Sequence, residues 1–361
     1  MKIETIVSQP IFFERNRVYR VYTGGMPYVA FFDDPDGYDL AIDGGADGYF
    51  PEEWVASGVR AINERQFGAR DGVSVIKGTD IYLDDLLASH PDEMLGGGTF
   101  DCLVKVLDSA IRLPFQAHPT KAFSRQHLGS DYGKTEAWLV LGCRENARIY
   151  FGFKEKMTKA DIDRLESASE TDRTVFDDLL SYVEPKVGDV FIIRAGMVHA
   201  IGAGCTILEV QEPTDFTIQP ERWCGEYHLS PREEFLGLDK DVALDVFDFS
   251  LYGPAATERA RITPRVEAEG NGWCKEVLIS YEDTPCFAQN RYTLTGGSMT
   301  LRGAPAVYIC VDGEGEIVGE GKGYRTSIRR GSYFFLPYAA RGKFAATGNC
   351  TLIECLPSKQ A

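Results

Sequence analysis

Four residues of metal-ligating type occur in short, turn-rich segments of this 361-residue chain. Gln116 and His118 are two residues apart in a Gln-Ala-His-Pro segment, Glu136 ends a Gly-Lys-Thr-Glu segment, and His199 follows an apolar stretch and an Ala-Gly turn. Side chains at positions i and i+2 of a strand point to the same face, so Gln116 and His118 can converge on one point. We expect a paired strand to bring Glu136 alongside them.

This combination of residue types favours a metal centre. Two imidazoles, a carboxylate and an amide oxygen leave room for water or substrate, which is typical of a catalytic Zn²⁺ site, although a redox metal also fits. Either histidine alone is explained more simply as a turn residue or a hydrogen-bonded core residue. The combination predicts one metal ion held by Gln116, His118, Glu136 and His199.

The segments that carry these residues have the pattern of short strands. Apolar runs punctuated by Gly, Pro, Asp and Asn recur along the chain, which indicates a mainly β protein. Residues 99–116 contain the apolar run LVKVL, and residues 136–153 predict a hairpin of strand, turn and strand. Residues 188–212 repeat the pattern of an apolar strand, a turn, a histidine and a second apolar strand.

Helical patterns interrupt the strands at three places. Residues 155–183 are polar and amphipathic, with Thr158 and Asp161 placed to form a capping box, and predict an insertion of two short helices. Apolar spacing predicts another short helix near residues 81–87 and a further one over residues 229–248.

The last third of the chain predicts a second β domain. From about residue 273, six or so short strand patterns follow one another with Gly-rich turns. All five histidines of the chain precede this region, so we expect no histidine-based metal site there.

Charge and composition restrict the partners of the protein. A formal charge of −16 and a pI of about 4.9 repel nucleic acid and anionic membranes, and no apolar run reaches the roughly 18 residues of a membrane span. The nine cysteines have no CxxC spacing and are expected to be reduced thiols in a cytoplasmic protein. A small phosphorylated substrate remains compatible, because local cations in a pocket outweigh a screened distant field.

The segments LVKVLD, FQAHP, GKTEAW and GDVFIIRAGMVHAIGAGCTILEVQ, between residues 99 and 212, resemble those of type I phosphomannose isomerases. The resemblance implies two cupin (jelly-roll) β domains with a helical insertion and short connecting helices. On this interpretation residues 1–250 form a metal-binding cupin domain, with the insertion near 155–183, and residues 251–361 form a second, metal-free cupin domain. It also implies one zinc ion per chain, held by the four residues named above.

The resemblance further implies a zinc-dependent aldose–ketose isomerase. The family's main activity interconverts mannose 6-phosphate and fructose 6-phosphate through an enediol, and a closely related sugar phosphate is an equally open substrate. Lys134 and Glu209 match polar positions near the family's active centre, and either can move the proton between C1 and C2 while a metal ion polarises the oxygens. Lys105 matches another such position and is expected to bind substrate.

Two departures from the family pattern affect the predicted substrate. Pro114 stands where the family has a serine, and Gln219 stands where it has an arginine. Arg222, three residues later, is expected to replace that arginine in the catalytic set, with Gln219 contacting the substrate. Two alternatives stay open: a metal-dependent isomerase or epimerase of a different sugar, and a non-catalytic, sugar-binding regulatory cupin.

Overall fold

A computed structural model describes residues 2–32, 42–43, 46–321 and 323–359 and confirms the mainly β class. The strands are β1 (Ile11–Phe12), β2 (Arg17–Val18), β3 (Ile42–Asp43), β4 (Ala46–Asp47), β5 (Glu52–Val55), β6 (Leu103–Ser109), β7 (Glu136–Cys143), β8 (Ile149–Phe153), β9 (Leu180–Val183), β10 (Val190–Ile193), β11 (His199–Ile201), β12 (Cys205–Gln211), β13 (Trp223–Cys224), β14 (Tyr227–His228), β15 (Arg261–Ile262), β16 (Arg265–Gly270), β17 (Trp273–Ile279), β18 (Ala288–Thr300), β19 (Ala306–Gly319), β20 (Arg325–Arg329), β21 (Tyr333–Leu336) and β22 (Phe344–Leu356).

Short helices connect and cover these strands. They are α1 (Ile3–Ile6), α2 (Tyr28–Phe32), α3 (Leu83–Ser89), α4 (Pro91–Leu95), α5 (Lys121–His127), α6 (Lys159–Ser169), α7 (Pro231–Phe235), α8 (Lys240–Ala243) and α9 (Pro254–Ala260), with 3₁₀ turns at Leu244–Val246 and Tyr338–Ala340. No helix in the described ranges is long and apolar enough to cross a membrane.

Two sheets enclose the first core. A seven-stranded sheet has the order β15-β10-β7-β12-β6-β5-β2, and a three-stranded sheet has the order β11-β8-β9. Trp138 and Phe191 of the larger sheet share one apolar cluster with Ile149 and Phe151 of the smaller sheet. Alternate residues of a strand face opposite sides of its sheet. Polar residues on the inner faces of these two sheets therefore lie in the same interior space as the apolar cluster.

The predicted hairpin over residues 136–153 is wrong. β7 pairs with β10 and β12, whereas β8 pairs with β9 and β11 of the smaller sheet. The short turn between β7 and β8 therefore carries the chain from one sheet to the other. A local pattern of two apolar runs cannot distinguish this crossing from a hairpin, because both need the same strands and turn.

The second core lies inside an eight-stranded sheet that curls on itself. Its order is β1-β21-β19-β22-β18-β17-β16, with β20 paired to β19. Bulges interrupt the long strands between Thr295 and Ser298 and between Cys310 and Asp312, and bulges bend strands. Tyr308 faces the inner cluster, whereas the adjacent Val307 faces outward, as the two-residue period of a strand requires.

The two large sheets pack against each other through a shared apolar layer. Val106 and Leu139 of the seven-stranded sheet lie in one cluster with Val307 and Ile353 of the eight-stranded sheet. Strands are also exchanged between the two predicted domains, because β1 of the first joins the eight-stranded sheet and β15 of the second joins the seven-stranded one. A division into domains at residues 250 and 251 stays a prediction.

The helical insertion begins as predicted and ends earlier. Thr158 and Asp161 form a capping box at the start of α6, each side chain accepting from the other residue's backbone N–H. The expected second helix is wrong: after turns near Phe176, residues Leu180–Val183 form β9 and pair with β8. Phe176 and Leu180, two of the apolar residues that suggested the second helix, are buried in one apolar cluster. Turns and a strand can bury such residues as well as a helix does, so the apolar pattern alone does not identify a helix.

The predicted helix over residues 229–248 is divided. Ser230 and Glu233 form a capping box at the start of α7, but Leu236 adopts a left-handed conformation with φ of 56° and ends that helix. The chain then continues as α8 and a 3₁₀ turn.

Candidate functional site

The predicted metal ligands meet between the two sheets of the first core. Glu136 begins β7 of the seven-stranded sheet and His199 begins β11 of the three-stranded sheet. Gln116 pairs with His199 through reciprocal backbone hydrogen bonds of 3.1 and 2.9 Å, and His118 follows two residues later. Glu136 therefore approaches from the opposite sheet. The sequence had predicted instead that Glu136 lies on a strand paired with the one that carries Gln116.

Three of the four side chains form a tight cluster. The Nε2 atom of His118 lies 3.2 Å from one carboxylate oxygen of Glu136, and the Nε2 atom of His199 lies 3.3 Å from the other. The potential ligand atoms of these three buried residues all lie within 4.8 Å of one another. One small ion can therefore contact all three.

Backbone carbonyls fix both imidazole rings. The Nδ1–H group of His118 donates to the carbonyl oxygen of Phe216, and that of His199 donates to the carbonyl oxygen of Met197, each at 2.9 Å. Since a carbonyl only accepts, each ring carries a proton on Nδ1 and turns its Nε2 atom toward the cluster.

The cluster contains polar atoms that the protein itself does not satisfy. Oε2 of Glu136 and Nε2 of His199 are buried without a hydrogen-bond partner in the described part of the chain. Burial, followed by the positive charge of Lys134, lowers the pKa of His118 to about 3, so that this ring is neutral. Burial opposes ionisation of Glu136, but the adjacent positive charge of Lys134 favours it, and the pKa of this carboxyl group lies well below the usual range. A carboxylate and two imidazole rings fit a divalent metal ion.

Gln116 lies at the wall of the same pocket and is almost fully buried. Its backbone pairing with His199 places it beside the cluster. Its service as a fourth ligand stays a prediction.

A pocket of about 1190 Å³ opens from this cluster. Lys105, Lys134, Glu209 and Gln219, all predicted from the sequence, line it together with Gln116. The Nζ atom of Lys134 lies 3.3 Å from Oε2 of Glu136 and 3.3 Å from Nε2 of His118. This lysine therefore adds a positive charge directly at the cluster.

Glu209 and Lys105 occupy one row across three neighbouring strands. Strand register places Glu209 of β12 between Lys105 of β6 and Trp138 of β7. Trp138 donates its indole N–H to Oε2 of Glu209 at 3.2 Å, and the Nζ atom of Lys105 lies 3.4 Å from Oε1. Burial, followed by repulsion from Glu136, raises the pKa of Glu209 to about 7. A carboxyl group with such a pKa can exchange protons near neutral pH.

Sequence reasoning missed a buried ion-pair network that borders this row. Arg20 bonds both carboxylate oxygens of Glu52 at 2.9 and 3.2 Å and both of Asp215 at 2.9 and 3.0 Å. Oε2 of Glu52 lies 3.5 Å from the Nζ atom of Lys105. Glu52 and Trp54 are alternate residues of β5 and therefore face the same side. This alternation is the sequence signal that could have indicated that Glu52 points into the protein.

Arg222 is not part of the pocket. Its guanidinium pairs with Glu166 and, at 2.5 Å, with Glu170 at the end of α6. Gln219 does line the pocket, and its side-chain amide donates to the carbonyl oxygen of Glu233 at 3.1 Å. The structure thus brings the predicted residues together with the exception of Arg222.

Similar sequences among known proteins are mannose-6-phosphate isomerases. No family model matches the chain. Mannose-6-phosphate isomerase of Streptococcus mutans is 30% identical over 274 residues, which cover 74% of this chain and 79% of that protein. A probable mannose-6-phosphate isomerase of Bacillus subtilis is 28% identical over 281 residues, covering 76% and 81%.

Solved structures share the fold. The crystal structure of mannose 6-phosphate isomerase from Bacillus subtilis superposes with a TM-score of 0.72 at 22% identity, covering 96% of this chain and 99% of that one. A putative mannosephosphate isomerase from Archaeoglobus fulgidus gives a TM-score of 0.66 at 20% identity, covering 97% and 98%. These similarities extend over both large sheets and confirm the cupin-type architecture.

Proposed function

The chain belongs to the mannose-6-phosphate isomerase family, and from this premise we propose that it interconverts mannose 6-phosphate and fructose 6-phosphate. The observation that carries the proposal is the buried cluster of His118, Glu136 and His199, in which Oε2 of Glu136 and Nε2 of His199 have no hydrogen bond within the described residues. His118 and Glu136 of this cluster line a pocket large enough for a sugar phosphate. A protein keeps such atoms unsatisfied where a ligand completes them.

We propose that His118, Glu136 and His199 hold a Zn²⁺ ion, with Gln116 as fourth ligand. Nitrogen and oxygen donors without a thiolate suit this ion, and the carbonyl bonds of both rings aim their lone pairs at it. When bound, it would polarise the carbonyl and hydroxyl oxygens at C1 and C2 of the sugar.

The protein's own residues then handle the proton. Isomerisation removes a proton from the carbon next to the carbonyl and returns it to the neighbouring carbon, which needs a positioned acid/base. Glu209 is the proposed group, because it lines the pocket and Oε1 has no hydrogen bond, while Trp138 holds the other oxygen. Lys134 is the second candidate, although its ammonium group already contacts Glu136 and His118.

One observation favours a second candidate function. Pro114 and Gln219 both line the pocket, and neither supplies a charge to the substrate. An isomerase or epimerase acting on a different sugar is therefore the alternative.

The test is a coupled assay of fructose 6-phosphate formation from mannose 6-phosphate by purified, zinc-loaded protein. A panel of other aldose phosphates and free aldoses is measured under the same conditions. The proposal requires the highest kcat/KM with mannose 6-phosphate, and a higher value with another sugar selects the alternative.

A further inference from the structure

The positive charges that line the pocket fall into two groups. Arg20, Lys105 and Lys134 lie in its inner part, and each contacts at least one buried carboxylate. A phosphate that bound one of these cations would compete with an existing ion pair in a buried setting, where such pairs are costly to break.

Arg65 and Arg232 form the second group. Both line the same pocket and are exposed, and neither contacts a carboxylate within the ranges that the structure describes. The guanidinium of Arg65 lies over the ring of Phe67 at 4.5 Å and near that of Tyr19 at 5.7 Å. Stacking holds a guanidinium by its face and leaves its N–H edge free to bind an oxyanion.

A hydrogen bond links the segments that carry these two arginines. The hydroxyl of Ser230, which caps α7, donates to Glu64 at 2.7 Å. Arg65 follows Glu64 directly, and Arg232 is the second residue of α7. The two arginines are therefore carried by segments that meet at one side of the pocket.

The neighbouring carboxylates do not cancel this positive charge by direct contact. Glu64 accepts from Ser230, and Glu233 accepts from the backbone N–H of Ser230 at 2.8 Å and from the hydroxyl of Tyr227. In a protein of charge −16, two exposed arginines that pair with no carboxylate among the described residues and line one pocket are suited to bind an anion.

We propose that Arg65 and Arg232 form a phosphate-binding site at the mouth of the pocket, which takes the 6-phosphate of the sugar; this inference rests on the proposed function. The reacting carbons C1 and C2 must lie at the metal ligands, and the phosphate lies at the other end of a six-carbon chain. Its site is therefore separate from the ligands, where guanidinium groups can bind its oxygens in bidentate fashion.

The test compares the variants Arg65→Gln, Arg232→Gln and the double variant with the parent enzyme, all zinc-loaded. We expect the double variant to raise KM for mannose 6-phosphate at least tenfold, with a smaller change in kcat. Its loss of kcat/KM is expected to be at least tenfold larger with mannose 6-phosphate than with unphosphorylated mannose. Arg148→Gln is the matched control, because Arg148 stacks on Tyr182 at 4.2 Å and does not line the pocket.

Calorimetric titration with inorganic phosphate separates this proposal from the proposed function. If the parent protein does not isomerise mannose 6-phosphate, the proposed function is wrong, but the arginine site still predicts at least tenfold weaker phosphate binding in the double variant than in Arg148→Gln. Equal phosphate affinity in these two proteins, or an equal loss with both sugars, would overturn the arginine site.

Discussion

Trp138 and Glu209 lie opposite each other on neighbouring strands, and the indole N–H of Trp138 donates to one carboxylate oxygen of Glu209 at 3.2 Å. The carboxylate is held at one oxygen, while its other oxygen lies near the ammonium group of Lys105. Glu209 is thus oriented by Trp138 and Lys105, and its proposed role as the acid/base requires such positioning.

The first prediction identifies the acid/base. Glu209→Gln keeps the shape of the side chain and removes its proton exchange, so kcat is expected to fall by roughly 10² to 10⁴. Trp138→Phe is expected to lower kcat less, because the carboxyl group remains but loses its positioning bond. Turnover is measured together with the release of the C2 hydrogen of labelled substrate into water. If Glu209→Gln retains parental kcat while Lys134→Gln abolishes it, the lysine is the proton carrier.

The second prediction concerns metal content. His118→Ala and His199→Ala are expected to lose most of one bound zinc per chain, because each removes one of three clustered ligands. Glu136→Gln is expected to weaken binding less, since an amide oxygen remains. Mass spectrometric metal analysis of dialysed protein gives the stoichiometry. His228→Ala is the control, since His228 is exposed and outside the cluster, and full zinc in both site variants would refute the assignment.

The third prediction is that Arg222 stabilises the insertion and does not act on substrate. Glu166 is 1% exposed and pairs with Arg222 and, at 2.9 Å, with Lys240, so Arg222→Ala leaves a buried carboxylate with one partner fewer. The free energy of unfolding is expected to fall by roughly 1 to 3 kcal/mol in urea titrations. The change in kcat/KM is expected to stay within about threefold.

A matched control for that variant is Arg173→Ala, because Arg173 is more exposed and pairs with the exposed Glu226. Its effect on unfolding is expected to be below about 1 kcal/mol. A hundredfold loss of kcat/KM in Arg222→Ala with unchanged stability would contradict the structural role.

The fourth prediction concerns pH. Burial, opposed by Arg222 and reinforced by Glu166, raises the pKa of Glu234 from 4.5 to about 7. The folded state binds this proton more tightly than the unfolded state does. Below pH 4.5 Glu234 is protonated in both states and its ionisation does not affect the free energy of unfolding, whereas above pH 7 the buried charge lowers that free energy by the full amount. Glu234→Gln is therefore expected to stabilise the protein by roughly 1 to 3 kcal/mol at pH 8.5 and by less at pH 5.5.

Urea unfolding at the two pH values measures that difference. The control is Glu258→Gln, because Glu258 is an exposed residue of α9. An equal gain for Glu234→Gln at both pH values would show that ionisation of Glu234 does not oppose folding.

The sequence by itself determined the class of the fold and predicted which residue types meet at the candidate site. The two-residue spacing of Gln116 and His118 predicted that both side chains face one point, and both residues line the pocket. The apolar runs around Glu136 and His199 predicted buried strands, which β7 and β11 confirm. The capping box of Thr158 and Asp161 was equally readable, because its hydrogen bonds span three residues.

Only the tertiary structure decided which distant groups meet. The crossing from β7 to β8 brings Glu136 to His199 from the opposite sheet, and no local pattern distinguishes that crossing from a hairpin. Arg222 lies three residues after the family's arginine position and was expected to replace that arginine, yet Glu166 and Glu170, more than fifty residues earlier, bind it outside the pocket. A side chain's charge and reach are local properties, whereas its partners depend on which strands and helices pack together.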